Sequence, residues 1–182
     1  MMLLRKTFPK GQKAFTLIET LLAVTILVIS MSGPLTIAAK SLNSALFAKD
    51  QITAFYLAQE SVEYLRNVRD TNALNGRSSA DPSSANYWLT GISHCINVNC
   101  TVQPTGTSLS SAVVACSGDC ATLKYDASNG FYGYSSGEDS QFTRFVTMQK
   151  VTDNEYSIIS TVSWRGLVSS QFVVKENIFN WE

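Results

Sequence analysis

The sequence predicts an α+β fold: one long N-terminal helix, membrane-spanning in its first half and amphipathic in its second, packed on a C-terminal antiparallel sheet of at least three strands. Three observations predict it. Between residues 14 and 39 the only charged side chain is Glu19. From residue 40 to about 70, apolar side chains recur at three- to four-residue spacing, the period of a helix with one apolar face. From Phe142 onward the chain is rich in Val, Ile, Phe, Tyr and Thr, broken by short turns such as Asp153-Asn154 and Arg165-Gly166.

The first element divides by charge. Arg5, Lys6, Lys10 and Lys13 crowd residues 1–14, which hold no acidic residue, and the 15–39 segment follows at once. About twenty apolar residues cross a hydrocarbon core as a helix, and this run exceeds that. Basic residues before it, with no comparable cluster after it, place the N-terminus in the cytoplasm and everything beyond about Lys40 outside. A secretory signal explains the basic-then-apolar order, but the apolar run is too long for one and Thr36-Ile37-Ala38 is a poor cleavage site. A carboxylate at Glu19, a few residues inside the run, costs several kcal/mol by insertion scales and calls for a cationic partner. The bland alternative is that Glu19 snorkels to the interface beside Lys13. Gly33-Pro34 interrupts the run, where a kink or local melting is expected because proline removes a backbone donor.

In the second half, Leu42, Ala45, Leu46, Ile52, Phe55, Tyr56, Val62 and Leu65 mark the expected buried face. Glu63–Arg66 and Arg66–Asp70 have the spacing of ion pairs on a solvated face, a better account of Arg66 and Arg69 than a ligand clamp. Residues 71–122 are rich in Asn, Ser, Gly and Thr and read as a loop region held by cysteines; a β-meander over about 123–181 follows. Within it, Phe142–Val151, Glu155–Arg165 and Ser169–Asn180 form the expected three strands, with shorter ones near Leu123–Tyr125 and Phe131–Tyr134.

Composition excludes several classes. Beyond residue 14 the chain holds ten basic and fourteen acidic side chains, so no concentrated basic surface for nucleic acid is expected. No phosphate-cradling loop, dinucleotide fingerprint, calcium loop or nucleophile elbow occurs, and no catalytic residue, cofactor or small-molecule ligand is assigned. Cys95, Cys100, Cys116 and Cys120 form two close pairs whose gaps lack the usual zinc spacing, and an exported head favours disulfides over metal. Four cysteines allow three connectivities. Tight-turn closure favours Cys95–Cys100 with Cys116–Cys120, the other two remaining open. The lone His94 has the marks of a surface residue. Trp88, Trp164 and Trp181 suit core or sheet positions better than a carbohydrate or peptide surface.

Lys13-Ala14-Phe15-Thr16-Leu17-Ile18-Glu19 resembles the class III signal of type IV prepilins and pseudopilins. The resemblance implies that a prepilin peptidase cuts between Ala14 and Phe15, that the new amine of Phe15 is N-methylated, and that Glu19 serves assembly. Ala14 stands where the family usually carries Gly, and the nearest glycine is Gly11. Family helices carry a proline in the region of Pro34, and the resemblance implies a helix that unwinds there on polymerisation. The stretch from Ala54 to Arg66 is similar to the helix-to-head segment of minor pilins of the PilV and pseudopilin-I type. These matches imply a non-enzymatic subunit of a type IV pilus or a type II secretion filament. Such a subunit is held single-pass in the inner membrane with its head outside, and its partners are other pilin subunits. The rival from another class is an extracytoplasmic binding or enzymatic domain behind an ordinary signal anchor.

Overall fold

A computed structural model describes residues 15–106, 108–166 and 169–180. The leader 1–14, with Ala14 and the clustered basic residues, lies outside the described residues, as does Trp181. The chain divides into an N-terminal unit ending at Leu46 and a second unit beginning at Phe47.

Helix α1 runs Leu17–Leu74 and contains Pro34. The helix is assigned continuously through Gly33 and Pro34, so the local melting expected there is not seen in this chain alone. One proline removes one backbone donor, that toward the Ser30 carbonyl, and the bonds on either side hold the turn. The helix ends four residues later than expected. Gly76 takes φ 74, Gly76 N–H donates to the Ala73 carbonyl, and Arg77 N–H reaches back to the Asn72 carbonyl. That pair of bonds is a Schellman stop, which needs a residue at ease in the left-handed region.

The second unit is built on a sheet of seven strands. These are β1 Cys100–Val102, β2 Val113–Ala115, β3 Thr122–Asp126, β4 Phe131–Gly133, β5 Glu138–Thr152, β6 Glu155–Arg165 and β7 Ser169–Phe179. A four-residue helix α2, Leu109–Ala112, precedes β2. Strands β5, β6 and β7 form the expected antiparallel meander, turned at Asp153-Asn154 and kept in register from Phe142↔Trp164 to Lys150↔Tyr156. On its other side β5 pairs with both β1 and β3, and β3 with β4. The 71–122 segment therefore contains two strands that composition did not reveal. Each is three residues long, too short for an alternating pattern to show.

Residues 54–72 of α1 cover one face of this sheet. The buried stripe is Ala54, Leu57, Ala58, Ser61, Val62, Leu65, Val68 and Asn72. This corrects the expected face: Val62 and Leu65 are buried, whereas Leu42, Ala45, Leu46, Ile52, Phe55 and Tyr56 are exposed. Small side chains at 54, 58 and 61 let the helix lie close to the strands, and Ser61 Oγ sits 2.8 Å from Ser160 Oγ on β6. A rule that scores only large apolar residues passes over such a seam. Two clusters fill the interface. Ala54, Leu57 and Ala58 meet Leu123, Phe142, Val162 and Trp164. Val62, Leu65 and Val68 meet Trp88, Leu89, Ile92, Val146, Met148 and Ile158. The second cluster draws part of its mass from the loop region, because Trp88, Leu89 and Ile92 are fully buried.

Candidate functional site: the N-terminal helix and its polar positions

Phe15 and Thr16 precede the first helical residue, Leu17. The backbone N–H of Glu19 donates to the Thr16 side-chain oxygen at 3.3 Å and to the Thr16 carbonyl at 3.1 Å. Thr16 is thus the N-cap and Glu19 the third helical residue, the Thr-x-x-Glu spacing of a capping box. A carboxylate in the first turn also faces the positive end of the helix dipole. The Thr-x-x-Glu spacing that signals this local role for Glu19 is present in the sequence itself. The role lowers the cost of the charge without supplying the counter-charge that burial in an apolar bundle demands.

Beyond Glu19 the span is prepared for an apolar medium. The hydroxyls of Thr20, Thr25, Ser30, Ser32 and Thr36 each donate to a carbonyl three or four residues back, at 2.7–2.9 Å. With its hydroxyls turned inward in this way, the span offers lipid few unsatisfied polar groups. The apolar side chains point outward all around, Leu17, Ile18, Val24, Ile29, Leu35 and Ile37 among them. A helix apolar on every side has no stable place in water, and this one is long and apolar enough to cross a membrane.

Several polar residues of the second unit are held in disulfides, ion pairs or buried hydrogen bonds. Cys95–Cys100 and Cys116–Cys120 are both disulfide-bonded, the favoured connectivity, with Cα separations of 5.7 and 5.2 Å. The first loop closes over Asn97, whose φ of 56 lies in the left-handed region that Asn tolerates. His94 lies close to Cys95 and Cys100, but their sulfurs are bonded to each other and are not thiolate ligands. His94 is exposed, with Nε2 3.2 Å from the Val113 carbonyl. Trp88 and Trp164 are core residues. Arg66 pairs with Glu63 at 3.0 Å and with Glu176 on β7, while Asp70 pairs with Arg69 at 2.8 Å. The expected Arg66–Asp70 pair gives way to these because β7 brings Glu176 within reach.

Arg144 is the polar residue that the sequence did not flag. It is fully buried on β5, and its guanidinium donates to Glu60 and to the carbonyls of Leu57 and Val102. Tyr134 donates to the Arg144 carbonyl at 3.0 Å, and burial pushes the Tyr134 hydroxyl above its usual range. One side chain so joins the helix, the meander and β1. Its place two residues from Phe142 and Val146 along β5 puts it on their buried face, but a lone arginine in that row does not reveal its partners.

An apolar membrane-length helix behind a capped, acidic first turn, together with a helix-on-antiparallel-sheet head, defines the type IV pilin-like class. Residues 9–33 match the prokaryotic N-terminal methylation motif. No curated protein and no solved structure matches the chain. By that signal and that fold the chain is type IV pilin-like, and the motif implies processing by a prepilin peptidase.

Proposed function

We propose that the chain is a minor pilin or pseudopilin: a structural, non-catalytic subunit of a type IV pilus or type II secretion-like filament. The subunit waits in the inner membrane with its head outside. The peptidase cuts between Ala14 and Phe15, the amine of Phe15 is methylated, and the helix moves from the bilayer into a bundle of neighbouring helices. One observation carries this reading. Glu19 is the sole ionisable side chain in a fully exposed apolar span that begins within the methylation motif. In the bundle, Glu19 neutralises the amine of a neighbouring Phe15, where low dielectric makes an unpaired charge expensive. Pro34, which leaves the Ser30 carbonyl without its helical donor, is where the helix unwinds on assembly.

The test is a dissociation. Glu19→Ala removes the cost of inserting a carboxylate, so membrane levels and leader cleavage stay at wild-type values. Incorporation into sheared surface filaments falls sharply. Unchanged incorporation overturns the assembly role of Glu19 and leaves it as a helix-capping residue at the interface.

A further inference from the structure

The face of the sheet turned away from α1 carries a feature that assembly does not use. Thr122 on β3 stands opposite Thr143 on β5, Thr143 opposite Ser163 on β6, and Ser163 opposite Gln171 on β7. Adjacent strands lie about 4.8 Å apart, so this row of four hydrogen-bonding side chains runs roughly 14 Å across the sheet. Arg165, paired with Ser169, stands two residues on from Ser163 and shares the same face. These side chains border a cavity of about 710 Å³, within the size range of small-molecule sites. Among the described residues no carboxylate lines it, and the one large apolar side chain there, Trp164, is only 4 % exposed. Thr122, Thr143, Ser163, Arg165 and Gln171 have no side-chain hydrogen bond or ion pair to any described residue, so their donors and acceptors are unspent.

The chemistry of the lining excludes most occupants. A divalent cation has no carboxylate to bind. A nucleic acid needs several cations, and Arg165 stands alone. An apolar peptide finds no exposed apolar pocket. A ligand with hydroxyls along its length answers the Thr, Ser and Gln row, and one carboxylate on it answers Arg165, whose planar fork binds carboxylates in bidentate fashion.

We propose that this cavity binds a short acidic oligosaccharide, its ring hydroxyls along the Thr122–Gln171 row and its carboxylate on Arg165. The site is independent of filament membership and stands or falls apart from it. The test is isothermal titration calorimetry on the full mature chain in detergent micelles, with trigalacturonate as the probe and galactotriose and sulfate as comparisons. The expected result is saturable binding of trigalacturonate. Arg165→Gln weakens it about tenfold or more, the usual order for a lost charged hydrogen bond. Gln171→Ala weakens it less. Lys175→Gln, a charge on the same face but outside the cavity, leaves it unchanged. Arg165, Gln171 and Lys175, the positions substituted, are all exposed, and unchanged melting of each variant shows that the fold is retained. Four results overturn the proposal: no binding of trigalacturonate, equal binding of galactotriose, displacement by sulfate at equal affinity, or equal weakening by Lys175→Gln.

Discussion

Replacing Arg144 with Met keeps most of the side-chain volume and removes every donor. In the folded protein Arg144 is fully buried, whereas the Glu60 side chain is 40 % exposed. Glu60 can therefore turn to water, and the loss of its partner counts as a half-exposed pair, about 1 kcal/mol or less. The Val102 carbonyl has no such escape, and an unsatisfied buried acceptor costs about 1–3 kcal/mol. The Leu57 carbonyl loses a charged donor at 2.9 Å, although α1 still offers it a helical one. The three effects together come to about 3 kcal/mol, at the lower end of the values for breaking a buried charged network. Urea denaturation of the full chain in micelles, followed by the fluorescence of buried Trp88 and Trp164, measures it. The midpoint should fall with an unchanged slope, since the surface exposed on unfolding is the same. Glu60→Gln alone should cost about a third as much, and the double variant should cost less than the sum. A loss below about 0.5 kcal/mol for Arg144→Met would refute the reasoning, because it would mean that the network contributes no net stability.

Other outcomes follow from the same contacts. Ala58→Leu forces a large side chain into the close seam between α1 and the sheet and should cost about 1–3 kcal/mol in the same denaturation assay. Each disulfide closes a very short loop and so contributes about 2 kcal/mol on the chain-entropy model. Timed alkylation under mild reductant should trap Cys116 and Cys120, half-buried, well before Cys95 and Cys100, which are fully buried. Asp126 is held below the usual carboxylate range by hydrogen bonds, first from the Ser128 hydroxyl, then from the Ser128 N–H and Ser136. Its folded pKa being depressed, its contribution is present above the unfolded value of about 3.9 and is lost as pH falls through the lower folded value. Asp126→Asn should therefore flatten the melting temperature between about pH 5 and pH 2, and an unchanged acid limb contradicts this.

Much of this was legible in the sequence, for physical reasons that also explain the rest. The span from Phe15 to Ala39 reads plainly because a membrane imposes length and apolarity on consecutive residues. The three long strands read plainly because long runs rich in Val, Ile, Phe, Tyr and Thr lie between clear turn signals. Spacing favoured the disulfide pairing that the structure shows, since a gap of four or five residues can close across a tight turn, but it left the other two connectivities open. Three-residue strands such as β1 and β2 carry no period, so composition alone reads their residues as loop. The buried stripe of α1 was misplaced because the seam is lined by Ala54, Ala58 and Ser61, which no hydrophobic pattern marks. Arg144 escapes notice because its acceptors lie on α1 and β1, both distant in sequence, and only the fold brings Leu57, Glu60 and Val102 to one point.

The central claim is that Phe15 becomes the first residue of the mature chain. Intact-mass and N-terminal peptide mass spectrometry of the protein produced beside an active prepilin peptidase tests it most directly. The account predicts a chain beginning at N-methylated Phe15 and, without the peptidase, a chain still carrying residues 1–14. A leader retained in both cases, or a mature end near Ala38, would contradict it.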